Sequence, residues 1–175
     1  MVRSVYDPSR DGDARLSDVI ERALALHRAG KLVDAELLYR SALAADSSNA
    51  EARRLLGVLK PQQGRHGEAL ALTTEAVRLQ PGSAKSHSAL GSVQLALNRC
   101  EDAVASYRTA TRLEPDVAGN HYNHAVALQA MNHHRDALKS FDRAIAIQPR
   151  FPEALTATAR TRLAASHAVP ADLRR

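Results

Sequence analysis

Histidine is the residue type in this sequence with the clearest capacity for chemistry. There are eight, and His121 and His124 stand three apart, so they share one side of a helix. His87 lies 34 residues before His121, and stacked units could bring the three imidazoles together as metal ligands. No carboxylate or cysteine stands nearby in register, and packing is the favoured reading of all three, so no metal or other cofactor is assigned. His133 and His134 sit beside a turn and read as a solvated pair.

Nucleophilic and phosphate chemistry find less support. Cys100 is the only cysteine, so an intramolecular disulfide is impossible and a cysteine zinc site is disfavoured. It falls near the start of a helix, where the helix N-terminus can lower a thiol pKa, but no histidine is placed to activate it. The glycines of GVLKPQQGRHG (57–67) lack the Gly-Lys-Ser/Thr of a phosphate loop. The chain is therefore read as a non-enzyme with no catalytic residues.

The elements that position these groups emerge from a repeat. LQP, LEP and IQP end at Pro81, Pro115 and Pro149, each 34 residues from the next, and one step back lands on Ser47. Four registers follow, 16–49, 50–83, 84–117 and 118–151. Position 8 of each is small (Ala23, Gly57, Gly91, Ala125), as is position 20 (Ala35, Ala69, Ala103, Ala137) and position 27 (Ala42, Ala76, Ala110, Ala144). Helices approach closely only where facing side chains are small. Larger residues recur beside them, with Tyr39, Tyr107 and Phe141 at position 24 and Leu79, Leu113 and Ile147 at position 30.

Position 15 reads Gly30, Gly64, Asn98 and Asn132. Glycine and asparagine tolerate the left-handed conformation that closes a helix, so a turn is expected there. Each unit is then helix, turn, helix, with proline ending the second helix. Helices are predicted at 16–29, 32–46, 50–60, 66–80, 84–97, 100–114, 118–131 and 134–148. A ninth, at 152–166, opens on Pro152, which suits a first turn. It caps the array with Leu155 and Leu163 on one side and Arg160 and Arg162 exposed. Residues 1–15 read as a flexible N-terminal tail and 167–175 as a basic C-terminal tail. Pro61 should end or kink the first helix of the second unit.

A 34-residue period with this pattern resembles the tetratricopeptide repeat (TPR), over residues 16–151 plus the cap. LLGVL (55–59) and ALGSVQLAL (89–97) match the first half of the family pattern. AELLYRSAL (35–43) and ALKSFDRAIAIQP (137–149) match the second. Position 7 departs at Arg22 and His124, where leucine is usual, and position 11 at Lys60 and Gln94, where tyrosine is usual. The resemblance implies an all-α, right-handed α-solenoid of four units with a capping helix. It also implies a concave groove, lined by first helices, that binds a peptide or partner helix.

Carried over by position, the groove lining comprises Ile20, Leu24, His27, Arg54, Leu55, Val58, Lys85, Ser88, Ala89, Ser92, Tyr122, Asn123 and Val126. With two cations among apolar residues, it suits a ligand with an apolar anchor and an acidic residue. The carboxylate clamp of TPR co-chaperones is rejected, because Ile20 and Leu24 occupy its lysine and asparagine positions. An asparagine ladder like that of O-GlcNAc transferase repeats is also absent. Only Asn123 fits it, against Glu21, Leu55 and Ala89.

Composition bounds the function. Hydrophobic residues make up 45% of the 175, aromatics 3%, and tryptophan is absent. No small-molecule substrate is assigned. The net charge is +5, and from Arg150 onward arginines 150, 160, 162, 174 and 175 face only Glu153 and Asp172. Nucleic-acid binding is disfavoured, since base stacking needs exposed aromatics and those present hold packing positions. No stretch approaches the roughly 18 apolar residues of a membrane span, and the N-terminus lacks a signal-peptide core, so a cytoplasmic location is expected.

The reading is a scaffold or adaptor for a protein or peptide partner. The alternative is the substrate-recruiting TPR region, as fragment or remnant, of a glycosyltransferase resembling O-GlcNAc transferase. The polar ending VPADLRR is read as favouring a stand-alone protein. Self-association is a third reading, because the helix LSDVIERALALH has an apolar side with no identified cover.

Overall fold

A computed structural model describes residues 8–167, with side chains from 14 to 166. Every regular element among the described residues is helical. The chain divides into two compact units, Met1–Leu79 and Gln80–Arg175. The first holds α1 (Pro8–Arg28), α2 (Leu32–Ala45), α3 (Ala50–Leu59), a 3-10 turn (Lys60–Gln63) and α4 (His66–Leu79). The second holds α5 (Ala84–Ala96), α6 (Cys100–Leu113), α7 (Ala118–Ala130), α8 (His134–Ile147) and α9 (Pro152–His167). Within each unit every helix packs on the next in the chain.

The turns inside the helix pairs fall at the glycines and asparagines that the period marks. Gly30 and Gly64 have φ of 74°, Asn98 has 58° and Asn132 has 60°. All four are left-handed, a conformation that a side chain without β-branching or bulk enters at least cost. Between pairs, Asn49 Oδ1 accepts the Ala52 amide at 2.9 Å and starts α3. Ser83 Oγ accepts the Ser86 amide at 3.2 Å and starts α5. Each satisfies a donor that the first helical turn leaves free.

Close approach runs through the small residues. Ala23, Ala35, Ala69, Ala76, Ala103, Ala110, Ala125, Ala137 and Ala144 are fully buried. Beside them lie Tyr39, Thr73, Tyr107 and Phe141, one per helix pair and all buried. In the first unit the core gathers Ala23, Ala35, Tyr39, Leu55, Leu56 and Leu59. In the second, Phe141 packs with Ala125, Leu128, Ala137 and Ala157.

Three features differ from expectation. The segment 1–15, read as a tail, is helical from Pro8 onward, because a proline at the start of α1 suits a first turn whose amide has no partner. Residues 1–7, and 168–175 of the expected basic tail, lie outside the described residues. Leu113, read as filling space beside the small residues, is 39% exposed. In α9 the packed face is Ala154, Ala157, Thr158 and Thr161, whereas Leu155 and Leu163 are exposed. Small side chains let α9 lie close against Ala144 and Phe141, and Thr158 and Thr161 return their hydroxyls to the carbonyls of Ala154 and Ala157 at 2.8 and 2.7 Å.

Pro61 does end its helix early. The α-helical ladder stops at Leu59 and the chain tightens into the 3-10 turn, which needs no donor from the proline nitrogen. Lys60, at the usual tyrosine position, is buried to 0% exposure. Its Nζ sits 2.5 Å from Glu36 Oε1 and 3.8 Å from Glu68 Oε2. Gln94, at the same repeat position in the second unit, accepts a buried hydrogen bond from Ser106 Oγ at 2.7 Å. Both polar residues replace a tyrosine by finding a charged or hydrogen-bonding partner, as buried polar groups must.

Candidate functional site: the first-helix faces

In the first unit, α1, α3 and the loop before α3 border an open pocket of about 460 Å³. Leu16, Ile20 and Leu24 recur at intervals of four on α1, so they form one stripe along it, and Leu55 of α3 closes the floor. Ile20, Leu24 and Leu55 are among the residues expected from register. Leu55 is 5% exposed, so it contributes packing more than free surface.

The polar rim consists of Ser17, Glu21, Asp46, Asn49 and Glu51. Asp46 accepts both the amide (2.9 Å) and the hydroxyl (2.6 Å) of Ser48. These bonds hold its carboxyl below the usual carboxylate range. Arg54, expected as a groove cation, is committed elsewhere. Its Nε and Nη2 donate to the two Glu51 oxygens at 2.9 and 2.6 Å, a bidentate pair.

His27 and Val58 lie farther along the same helices, both half-buried. His27 Nε2 is 2.9 Å from Gln62 Nε2, and its ring meets Tyr39 edge-on with centroids 6.3 Å apart. Burial lowers the His27 pKa, and the Gln62 bond opposes that. Beneath, the Tyr39 hydroxyl is buried without a hydrogen-bond partner. In the second unit the matching Tyr107 hydroxyl is 2.9 Å from Ser92 Oγ. Leu24 holds the Ser92 position in the first unit and offers no such partner.

On the second unit, Lys85 and Ser92 are exposed, Ser88, Asn123 and Val126 are half-buried, and Ala89 is buried at 6%. Ser92 Oγ also donates to the Ser88 carbonyl at 3.1 Å. Tyr122 is drawn into an aromatic group, 5.8 Å from Phe141 and 5.1 Å from Phe151. These residues are distributed along α5 and α7.

His87 Nε2 lies 3.0 Å from the Pro81 carbonyl, and His121 Nε2 lies 2.8 Å from the Pro115 carbonyl. The same repeat position ties the loop before the helix in two successive pairs. His124 Nδ1 is 3.1 Å from Ser140 Oγ, and burial, aided by His121 and Arg108, lowers its pKa. Among the described residues no three His, Cys, Asp or Glu side chains are grouped to hold a metal. Cys100 Sγ faces Asn98 Oδ1 at 3.7 Å.

Two arrangements were missed by sequence reasoning. One is the carboxylate rim, although Glu51 and Arg54 at i and i+3 carried a signal. The other is the network around Lys60, which borders a second pocket of about 510 Å³ lined by Arg40, Leu43, Leu56, Glu68 and Leu72. Glu36 receives Lys60, Arg40 (2.8 Å) and Arg65 (3.2 Å). Partial burial alone would raise the Glu36 pKa. Hydrogen bonds from Lys60, Gln63 and Arg40, with the charge on Lys60, bring it down to about 2.

Antiparallel helix pairs with left-handed inner turns and a repeating small-residue seam define a helical repeat protein. The family model for the tetratricopeptide repeat matches residues 20–84 and 88–128, more than half of the chain, and the chain belongs to that family. Such repeats are in general non-catalytic scaffolds for protein partners. Solved structures agree in fold. A crystal structure of MamA aligns with 22% identity and a TM-score of 0.72, over 82% of this chain and 84% of that one. TTC0263, a thermophilic TPR protein of Thermus thermophilus, aligns with 21% identity and a TM-score of 0.76, over 85% and 82%. An O-GlcNAc transferase mutant of Thermobaculum terrenum aligns with 30% identity and a TM-score of 0.69, over 76% of this chain but 26% of that one. Among curated proteins, none matches the chain. No helix among the described residues is long and apolar enough to cross a membrane.

Proposed function

We propose that the chain is a non-catalytic interaction scaffold of the cytoplasm, which holds a peptide or partner helix on the first-helix faces of its repeats. The observation that carries this reading is the pocket between α1 and α3, where Ile20, Leu24 and Leu55 form an apolar floor within a polar rim. That combination is what an apolar anchor side chain requires: burial for the anchor and polar groups at the edge to orient the flanking backbone. On the second unit the proposed contacts are Lys85, Ser88, Ala89, Ser92, Tyr122, Asn123 and Val126. His27, Arg54 and Val58 complete the set on the first.

Affinity capture from native lysate tests this by comparing wild type with Arg54→Glu/Lys85→Glu/Asn123→Ala. A partner held by wild type and lost by the variant, at unchanged helicity, supports the first-helix faces. Equal retention moves the site elsewhere.

The likeness to the Thermobaculum terrenum O-GlcNAc transferase favours a second reading, in which these repeats recruit substrate for a glycosyltransferase. It predicts that the natural reading frame continues into, or lies beside, a catalytic glycosyltransferase domain. Sequencing the locus decides between them.

A further inference from the structure

We infer that the open pocket of about 510 Å³ bordered by α2, α3 and α4 binds a small monoanionic amphiphile, a molecule with one carboxylate and an aliphatic body. The site lies on the second helices of the pairs and is independent of the first-helix faces proposed above. Helices α2 and α4 both pack on α3. Leu43 and Ala44 of α2 and Ala71 and Leu72 of α4 line the pocket, together with Leu56 of α3, which is 3% exposed. An apolar lining with a few convergent polar groups is the usual form of a small-molecule site, and such sites measure roughly 300–1,000 Å³.

Charge selects an anion. Three cations, Lys60, Arg40 and Arg65, share two carboxylates, Glu36 and Glu68, which leaves one positive charge over. No further carboxylate among the described residues is within ion-pairing distance of these cations. Both carboxylates are ionised at neutral pH. Partial burial would raise Glu36, but hydrogen bonds from Lys60, Gln63 and Arg40 bring it to about 2, and the bond from Arg65 lowers Glu68. Lys60 borders the pocket at 0% exposure, so it supplies charge from beneath and not a contact. Arg40 supplies the contact. Its side chain is 55% exposed and donates to Glu36 through Nε alone. Both Nη groups are therefore unspent among the described residues, and a guanidinium can grip a carboxylate with two parallel bonds. The aliphatic body would then lie on the leucines, whereas a cationic ligand would meet the surplus charge.

Titration of the isotope-labelled full chain with octanoate, followed through its backbone amide resonances, tests the inference. Octan-1-ol and octylammonium serve as the matched neutral and cationic probes. Octanoate should shift the amides of Leu43, Ala44, Ala71 and Leu72, bind about tenfold more tightly than either other probe, and bind more weakly as salt rises. Arg40→Gln should cost octanoate about tenfold, while Glu36 keeps Lys60 and Arg65. Ala71→Phe fills the pocket from an exposed position and should abolish binding. Ala105→Phe, at the same repeat position in the second unit and also exposed, should leave binding unchanged. Octan-1-ol or octylammonium binding as tightly as octanoate, or Arg40→Gln without effect, overturns the anionic ligand. No shift with any of the three probes, or binding untouched by Ala71→Phe, overturns the site. Helicity and melting temperature of each variant, compared with wild type, exclude unfolding as the cause of lost binding.

Discussion

Gly57 of α3 faces Thr73 of α4 so closely that a methyl group on the glycine would lie 2.7 Å from Thr73 Cγ2. Gly57→Ala should therefore destabilise the protein by about 1–3 kcal/mol, the usual cost of overpacking. Thr73→Ser removes the obstructing methyl and keeps the hydroxyl, which donates to the Ala69 carbonyl at 2.8 Å. The double variant should recover part of the loss, the rest remaining because Leu72 Cβ and the Thr73 nitrogen also lie 3.3 Å away. Urea unfolding of the four proteins yields the coupling directly. Additive losses would contradict the contact.

The buried Lys60–Glu36 pair makes a second prediction. Glu36→Gln strips the main counter-charge from a lysine with no exposure, and should cost about 3 kcal/mol. Lys60→Met should cost less, because Glu36 keeps Arg40 and Arg65. The Glu36 pKa in the folded chain, about 2, lies below its ordinary 4.5. Its stabilising share is thus complete above 4.5 and is lost as pH falls towards 2. Acid titrations of stability should show this loss in wild type and a smaller one in Glu36→Gln.

His27 and His124 act in the same direction at higher pH. Burial holds both below 6.5 in the folded chain, so protonation favours the unfolded chain. Their contribution is complete above 6.5 and is lost as pH falls through the lowered folded values. Replacing both with glutamine should flatten the change in melting temperature across that window. An unchanged pH profile would remove these histidines from the account.

His87 and His121 predict a loss unrelated to metal. His87→Ala and His121→Ala each remove one ring hydrogen bond to a proline carbonyl, worth about 0.5–1.5 kcal/mol. Zinc or a chelator should leave the melting temperature of wild type unchanged. A rise with zinc that vanishes in His121→Ala would restore the metal reading.

The sequence made the repeat legible because its signals are local and periodic. Gly30, Gly64, Asn98 and Asn132 mark left-handed turns by residue type alone, and the alanines of the seam recur at fixed spacing. Pairings that depend on which side chain meets which were harder to read. Lys60 stands where tyrosine is usual, and the register does not show that Glu36 reaches it from another helix. Leu155 and Leu163 suggest a packing face on α9, yet Ala154 and Ala157 permit the closer approach and take the buried side. Of the groove residues expected from register, Ile20, Leu24 and Leu55 border one pocket in the first unit. The register left Arg54 as a free cation, because a periodic template does not carry the Glu51 carboxylate three residues before it.

Site-specific photo-crosslinking tests the central claim most directly. A photoreactive residue is placed in turn at Leu24, Ser92 and Asn123 on first helices, and at Arg40, Arg108 and Lys139 on second helices. The account predicts that a protein or peptide partner is trapped from the first-helix positions, with Leu24 included, and is not trapped from the second-helix positions. Crosslinks confined to the second helices would contradict it.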